Sequence, residues 1–373
     1  MIPFNKPVFL GTELTAIRQA IESNAHLAGG GPFGQRCESI LSERLGARTL
    51  LVTSCTHALE MAGLLLGLQP GDEFIVPSFT FVSTANAFAL RGAKPVFADC
   101  DRNGNITAEE VARLKTPKTR AVVVVHYAGN ACDMKAIAAA AGRVPVVEDA
   151  AQALGASLDG RALGTFGAMS AFSFHETKNV GAGEGGALTL ADASFVERAE
   201  YIREKGTNRK RFHQGLVDKY TWVDVGSSYV LSDLNAAYLS VQLEAFAQIQ
   251  ARRHAIFDRY ERELGAAVEK VGGYLVKHSS GATPNAHLFG IVLRSNEERS
   301  KFIAHLKAHQ IIAPFHYVAL HGSPMGERLH DGRALPVSTR LSNCLVRLPL
   351  FYNLSDAEQG EVIARALEVL GKF

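Results

Sequence analysis

The stretch MSAFSFHETKNVGAGEGGALTL, Met169 to Leu190, decides the fold. It opens with a β-prone run, Ala171 to Phe174, and breaks at His175-Glu176-Thr177-Lys178-Asn179. It then passes Gly181, Gly183, Gly185 and Gly186 into a second apolar run. Most lysines are solvated surface groups. Lys178 differs in its setting: Ser173 lies five positions upstream near a strand end, and the glycines let backbone come close to a ligand. Upstream, Val144 to Gln152 reads VPVVEDAAQ, a buried strand delivering Glu148 and Asp149 at its end. A lysine, an acid at a strand end and a small hydroxyl residue before the lysine point to a pyridoxal phosphate site.

Working outward, strands alternate with helices. Strands are predicted at Leu50–Ser54, Phe74–Pro77, Pro95–Ala98, Ala121–His126 and Val144–Val147. Helices are predicted at Thr12–Ser23 (with Thr12 able to cap), Thr56–Leu68, Val82–Arg91, Thr107–Leu114 and Met134–Ala141. This alternation predicts an α/β chain with a mostly parallel sheet between helices, where ligands sit at the carboxyl ends of strands. His126, Asp149 and Ser173 all fall at or just past such ends. His26 to Pro32, with three consecutive glycines Gly29-Gly30-Gly31, reads as a loop, either an anion cradle or a flexible hairpin. Asp192–Lys205 is helical, and Ser232–Leu264 reads as one long helix. That helix divides a large domain, 1–240, from a smaller α+β domain, 241–373, with a strand near His287–Leu293 and helices Glu297–His309 and Asp356–Leu370.

With 373 residues the chain can bury a large core, and 47% hydrophobic with 20% charged residues is ordinary for a globular protein. A formal charge of +2 gives no case for nucleic-acid binding. Five scattered cysteines without CxxC spacing predict reduced thiols and no metal site. No long apolar run predicts a membrane span, and MIPFNKPVFLGTEL lacks a signal peptide's apolar core, so a cytoplasmic protein is expected. Arg203–Arg211 is densely basic. A solvated loop accounts for it, and so does a sugar nucleotide's diphosphate, since a few Arg and Lys suffice for two phosphates.

Further motifs are TSCTHALEMA (Thr53–Ala62), PSFTFVSTANAFALRGAKPVF (Pro77–Phe97), HYAG (His126–Gly129), GEGGA (Gly183–Ala187), REKGTNR (Arg203–Arg209), DKYTWVDVGSSY (Asp218–Tyr229) and RLPLFYNLS (Arg347–Ser355). With VVEDAAQ and FSFHETKN they run through nearly the whole chain. In this order the chain resembles the DegT/DnrJ/EryC1/StrS sugar aminotransferases of the fold-type I pyridoxal phosphate superfamily. The resemblance implies that Lys178 holds the cofactor covalently and later moves protons, while Asp149 sits at the pyridine nitrogen. It implies Gln152 at the ring's phenolic oxygen, Phe81 stacked on the ring, and Ser173, Thr56 and Cys55 at the phosphate. Relatives often have a smaller residue in place of Cys55, which matters little if the backbone N–H makes the contact. It further implies a homodimer with shared active sites. Ser228 stands where many relatives carry an Asn that reaches the phosphate from the second subunit, and Arg209, His316 and Tyr317 stand at substrate positions.

The reaction so implied moves the amino group of L-glutamate to C4 of dTDP-4-keto-6-deoxy-D-glucose, giving dTDP-4-amino-4,6-dideoxy-D-galactose for surface polysaccharide such as O-antigen. A 3-aminotransferase acting on a 3-keto isomer would share every cofactor residue. A dehydratase of the superfamily would carry His at position 178, and a non-enzymatic relative would be expected to have lost Lys178 or Asp149; neither change is present.

Overall fold

The computed structural model describes residues 1–373, the side chain of His213 excepted. The main sheet has seven strands: β1 (Arg48–Val52), β2 (Glu73–Pro77), β3 (Lys94–Ala98), β4 (Thr119–Val125), β5 (Val146–Asp149), β6 (Met169–Ser173) and β7 (Gly186–Leu190). Their spatial order is β1-β7-β6-β5-β4-β2-β3. Neighbours from β6 through β3 are parallel, and β7 alone runs antiparallel to both strands beside it. This is the expected mostly parallel sheet. Its strands are apolar on both faces because helices cover both. Ala121 and Val123 pack with the helix Cys55–Leu65, while Val122 and Val124 pack with Val111 and Ile137 from helices Ala108–Leu114 and Met134–Ala141.

A second sheet of β8 (Tyr274–Leu275), β9 (Phe289–Val292) and β10 (Leu345–Leu348) is antiparallel in that order. It packs with helices Phe246–Lys270, Asn296–Ala308 and Asp356–Leu370 around Tyr260, Phe289, Phe302 and Val362. This is the α+β layer expected near the C-terminus. The last helix starts at a capping box: Ser355 Oγ accepts from Glu358 N–H, and the Glu358 carboxylate accepts from Ser355 N–H.

Three local expectations are corrected. The predicted single helix over Ser232–Leu264 is two, Asp233–Glu244 and Phe246–Lys270. Ala245 leaves helical geometry (φ −84°, ψ 11°), and Phe246 after it is buried, with the Arg44 guanidinium 4.2 Å over its ring. Thr12 occupies the cap position of Glu13–Glu22, but its hydroxyl does not cap. Instead the Glu13 carboxylate turns back to accept from the N–H groups of Leu10 and Gly11, at 2.9 Å each. Finally, Pro32 opens a helix, Pro32–Leu45, that the glycine-rich run concealed. The glycines do lie against an anion, but it is the chain's own: buried Asp233 accepts from Phe33 N–H (3.3 Å) and Gly34 N–H (2.7 Å). A Cβ on Gly31 would stand 2.5 Å from the Asp233 carboxyl carbon.

Candidate active site

A cavity of about 660 Å³ opens at the carboxyl ends of β4, β5 and β6, a size that suits a cofactor with substrate. Val125, Asp149 and Ser173, the last residues of these strands, all line it. The helix Cys55–Leu65 starts at its wall. Ser54 caps that helix, its hydroxyl accepting from His57 N–H at 3.1 Å. The N–H groups of Cys55 and Thr56 in the first turn have no partner within the helix, and a helix start of this kind favours phosphate. Thr56 Oγ1 donates to Ser83 Oγ at 2.8 Å, so two hydroxyls stand together there. β7 passes close beneath: a Cβ on Gly186 would meet the Ser54 carbonyl oxygen at 2.6 Å, so only glycine permits this approach. Burial pushes the Cys55 thiol well up, so it stays protonated.

Asp149 is buried at the floor. Its Oδ2 accepts from Thr84 Oγ1 (2.7 Å) and its Oδ1 from Ala151 N–H (3.1 Å). Thr80 and Thr84 hydroxyls are 2.8 Å apart, which extends the chain of hydrogen bonds one residue further. Among the described residues no cationic nitrogen lies within 4.0 Å of this carboxylate. Burial pushes its pKa up, opposed by the Thr84 and Ala151 hydrogen bonds and by Lys178. A buried acid so placed is stabilised by any cationic ring nitrogen brought against it. The residue before it, Glu148, turns to the other face. There its carboxylate binds His126 Nε2 (2.7 Å) and the N–H groups of Gly164 (2.8 Å) and Gly167 (2.6 Å). His126 Nδ1 accepts from Cys132 N–H, so the imidazole braces the β4–β5 ends and does not line the cavity.

Lys178 is half-buried and lines the cavity with Asp149. Its loop is held by backbone: Phe174 N–H donates to Gly185 O (2.8 Å), Glu176 N–H to Gly183 O (2.9 Å) and Lys178 N–H to His175 O (2.9 Å). The next residue is tied down more firmly. Asn179 Nδ2 donates to Gln250 Oε1 (2.9 Å) and Asn285 O (2.7 Å), and its Oδ1 meets His287 Nδ1 at 2.9 Å. Among the described residues no hydrogen bond engages Lys178 Nζ. Burial lowers its pKa below the usual lysine range; Cys55 and Asp149 oppose this and Arg347 adds to it.

Gln152 Oε1 accepts from Ala128 N–H at 2.6 Å, which turns its Nε2 to Tyr317 OH at 3.0 Å. His316 Nδ1 is 2.9 Å from the buried Tyr127 hydroxyl, and the His316 and Tyr317 rings lie 3.5 Å apart. Burial holds His316 well below its ordinary pKa, so it is neutral. Phe81, 55% exposed, tilts toward Tyr317 at 6.1 Å across the mouth. Of the expected site residues, then, Lys178, Asp149, Gln152, Ser173, Cys55, Thr56, Phe81, His316 and Tyr317 face one cavity. Arg209 and Ser228 lie outside its lining: Arg209 has Glu204 at 4.0 Å, and Ser228 is exposed and bridged to Glu204 by backbone. Sequence reasoning passed over Arg347 and His287, which also line the cavity. The signal for Arg347 was a lone guanidinium inside the apolar run Leu345–Leu350.

An unbonded amine, a buried acid lacking a cation, and a hydroxyl-rich helix start around one cavity fit pyridoxal phosphate in donor set and volume. Solved structures agree. The aminotransferase TlmJ from Streptoalloteichus hindustanus is similar at 32% identity, covering 100% of this chain and 99% of that chain, with a TM-score of 0.91. The putative sugar aminotransferase Spr1654 from Streptococcus pneumoniae, solved in its PLP form, is similar at 25% identity, covering 100% and 99%, with a TM-score of 0.90. S. venezuelae DesV is similar at 29% identity, covering 99% and 98%, with a TM-score of 0.88. The family description "DegT/DnrJ/EryC1/StrS aminotransferase family" matches residues 10–367. With nearly its whole length matched, this chain belongs to the DegT/DnrJ/EryC1/StrS aminotransferases, enzymes that work with pyridoxal phosphate.

Proposed function

We propose that this chain transfers the amino group of L-glutamate to C4 of dTDP-4-keto-6-deoxy-D-glucose. The product is dTDP-4-amino-4,6-dideoxy-D-galactose, bound for surface polysaccharide, made in the cytoplasm by a homodimer. The observation carrying the amino transfer is the shared cavity of Lys178 and Asp149. The choice of C4 and of the nucleotide rests on the overall resemblance carried by the full set of motifs, which a 3-aminotransferase would largely share. No helix of the structure is long and apolar enough to cross a membrane.

When bound, pyridoxal phosphate supplies an electron-poor ring that makes the C–H beside the transferred nitrogen acidic. The rest is done by side chains. Lys178 Nζ would hold the cofactor covalently and, once released, its free amine would take up and return the proton at the substrate carbon. An amine with the unperturbed pKa of about 10.4 would be charged and inert as a base near neutrality, so the lowering by burial serves this role. Asp149, its carboxylate fixed by Thr84 and Ala151, would hold the ring N–H. Gln152 Nε2 would donate to the ring's phenolic oxygen. Ser173, Thr56 and the Cys55 N–H would hold the phosphate, and Phe81 would cover the ring. His316 and Tyr317 meet the hexose. With the domains divided as 1–240 and 241–373, the first supplies the cofactor set and the second brings His316 and Tyr317 over it. Arg209 and Ser228 complete the neighbouring subunit's site.

The test is product analysis. Protein loaded with pyridoxal phosphate, given L-glutamate and dTDP-4-keto-6-deoxy-D-glucose, should yield an amino sugar whose NMR couplings show nitrogen at C4 in the galacto configuration. Nitrogen at C3, or no amino sugar, contradicts the assignment.

A further inference from the structure

The C-terminal α+β layer holds a histidine pair that the active site does not use. His305 lies in the last turn of the helix Asn296–Ala308 and His309 is its C-cap, four residues on, so the two side chains share one face. Their rings lie 4.6 Å apart. Glu368, on the helix Asp356–Leu370, reaches across to them, and one ligand atom from each of the three residues lies within 4.8 Å of the others. None of the three lines the cavity. His309 Nδ1 is 2.9 Å from the His305 carbonyl oxygen. A carbonyl only accepts, so in the neutral ring Nδ1 carries the proton and Nε2 offers a lone pair. Metal-ligating imidazoles are commonly oriented this way, by donating their other nitrogen to a carbonyl. Among the described residues no hydrogen bond engages His309 Nε2. His305 Nε2 is buried and unpartnered, and Glu368 Oε2 stands 3.5 Å from it without bonding it. That matches the separation of about 3.4 Å between neighbouring ligands of a tetrahedral zinc with bonds of about 2.1 Å. A His–Glu ion pair at a helix end would explain the proximity, but neither the missing hydrogen bond nor the second imidazole.

We infer that His305, His309 and Glu368 bind a divalent cation of the zinc class, which clamps the last helix to Asn296–Ala308. Two imidazoles and a carboxylate suit zinc, and three protein ligands leave the fourth position to water. Cysteine spacing pointed away from a metal because no thiol takes part here. Lys372 Nζ donates to Glu368 Oε1 at 2.9 Å, and Arg365 Nη1 donates to Oε2 at 3.0 Å. A carboxylate oxygen has two lone pairs, so each oxygen keeps one for a metal. The two cations nevertheless compete with it, which makes the site one of modest affinity and gives Lys372 a diagnostic role. Removing that competing charge should strengthen the site.

The experiment uses full-length, tag-free protein loaded with pyridoxal phosphate and the variants H305Q, H309Q, E368Q, K372A and C55S. Zinc chloride is titrated calorimetrically, and the thermal midpoint is followed with and without zinc. The expected result is one saturable site per chain, weakened thirtyfold or more in H305Q and H309Q and fivefold or more in E368Q. K372A should bind zinc threefold or more tightly than the parent, and C55S, whose change lies in the cofactor cavity, should bind it as the parent does. Saturating zinc should raise the parent's thermal midpoint by about 2 °C or more and leave that of H309Q where it was. H309Q and K372A decide the question if H305Q fails to fold. No saturable zinc binding by the parent, unchanged affinity in H309Q, weaker binding in K372A, or a midpoint rise that survives in H309Q overturns the inference. So does a site lost in C55S and kept in H309Q, which would put the metal in the cofactor cavity.

Discussion

The floor and the rim of the cavity are built on different terms. The floor is held by buried hydrogen bonds and close backbone packing. Asp149 is held by Thr84 and Ala151, the residue beside Lys178 is tied to Gln250, Asn285 and His287, and the helix start at Ser54 is seated against Gly186. The rim is looser: Phe81 lines the cavity and is 55% exposed, while Arg209 and Ser228 lie outside the lining. Groups that perform proton transfer need positions fixed to fractions of an ångström, which buried hydrogen bonds supply. Groups that admit a large substrate sit on loops and are finished by whatever closes over them. Floor substitutions should therefore cost rate, and rim substitutions should cost binding.

The sharpest break of that contrast is at Lys178. Lys178→Ala should lower turnover at least a thousandfold with the thermal midpoint of the folded protein unchanged within about 2 °C, since general acid–base groups are worth roughly 10²–10⁴ and covalent linkage adds to this. Measurable transamination in that variant would refute its role. Asp149→Asn comes next, with a loss in kcat of a hundredfold, about 2.7 kcal/mol; a loss under tenfold would separate the acid from the ring nitrogen.

Asp149 also makes a prediction about stability, with a determined sign. Its folded pKa is raised by burial above the unfolded value of about 3.9. The folded cofactor-free chain thus binds the proton more tightly than the unfolded one. That stabilisation is present below the unfolded pKa and is lost as pH rises toward the folded pKa. Cofactor-free Asp149→Asn should therefore lose less stability than the parent between pH 4 and pH 7 in urea titrations. A steeper loss in the variant would contradict the burial account. With the ring nitrogen paired to Asp149 as proposed, bound cofactor should reverse the ranking.

Smaller effects lie in the supports. Gly186→Ala pushes a methyl into the Ser54 carbonyl and should cost about 1–3 kcal/mol of stability together with weakened cofactor retention on dialysis. Thr84→Val removes one hydrogen bond from a buried carboxylate and should cost roughly 1.5–3 kcal/mol, read as a tenfold to hundredfold fall in kcat with KM for both substrates little changed. A change in KM alone would place Thr84 with the rim.

The sequence made the floor more legible than the rim. The β6–turn–β7 pattern around Lys178, and the VVED strand end, announce themselves through alternation and glycine spacing, and both stand where those patterns put them. Long-range pairings leave no such local trace. Nothing near Gly31 signals that its anion is Asp233, two hundred residues on, and nothing at Ala245 marks the break that divides the long helix. Arg347 hides for the opposite reason: in an apolar strand it reads as an edge residue, and only the folded cavity reveals its lack of a counter-ion. Arg209 and Ser228 stand out only by family pattern, and the fold places both outside the cavity lining.

The most direct measurement is borohydride reduction of the protein loaded with pyridoxal phosphate, followed by peptide mass spectrometry. The account predicts one stoichiometric pyridoxyl label per chain, on the peptide containing Lys178, and none when Lys178 is Ala. A label spread over surface lysines, or one fixed at a different position, would contradict it.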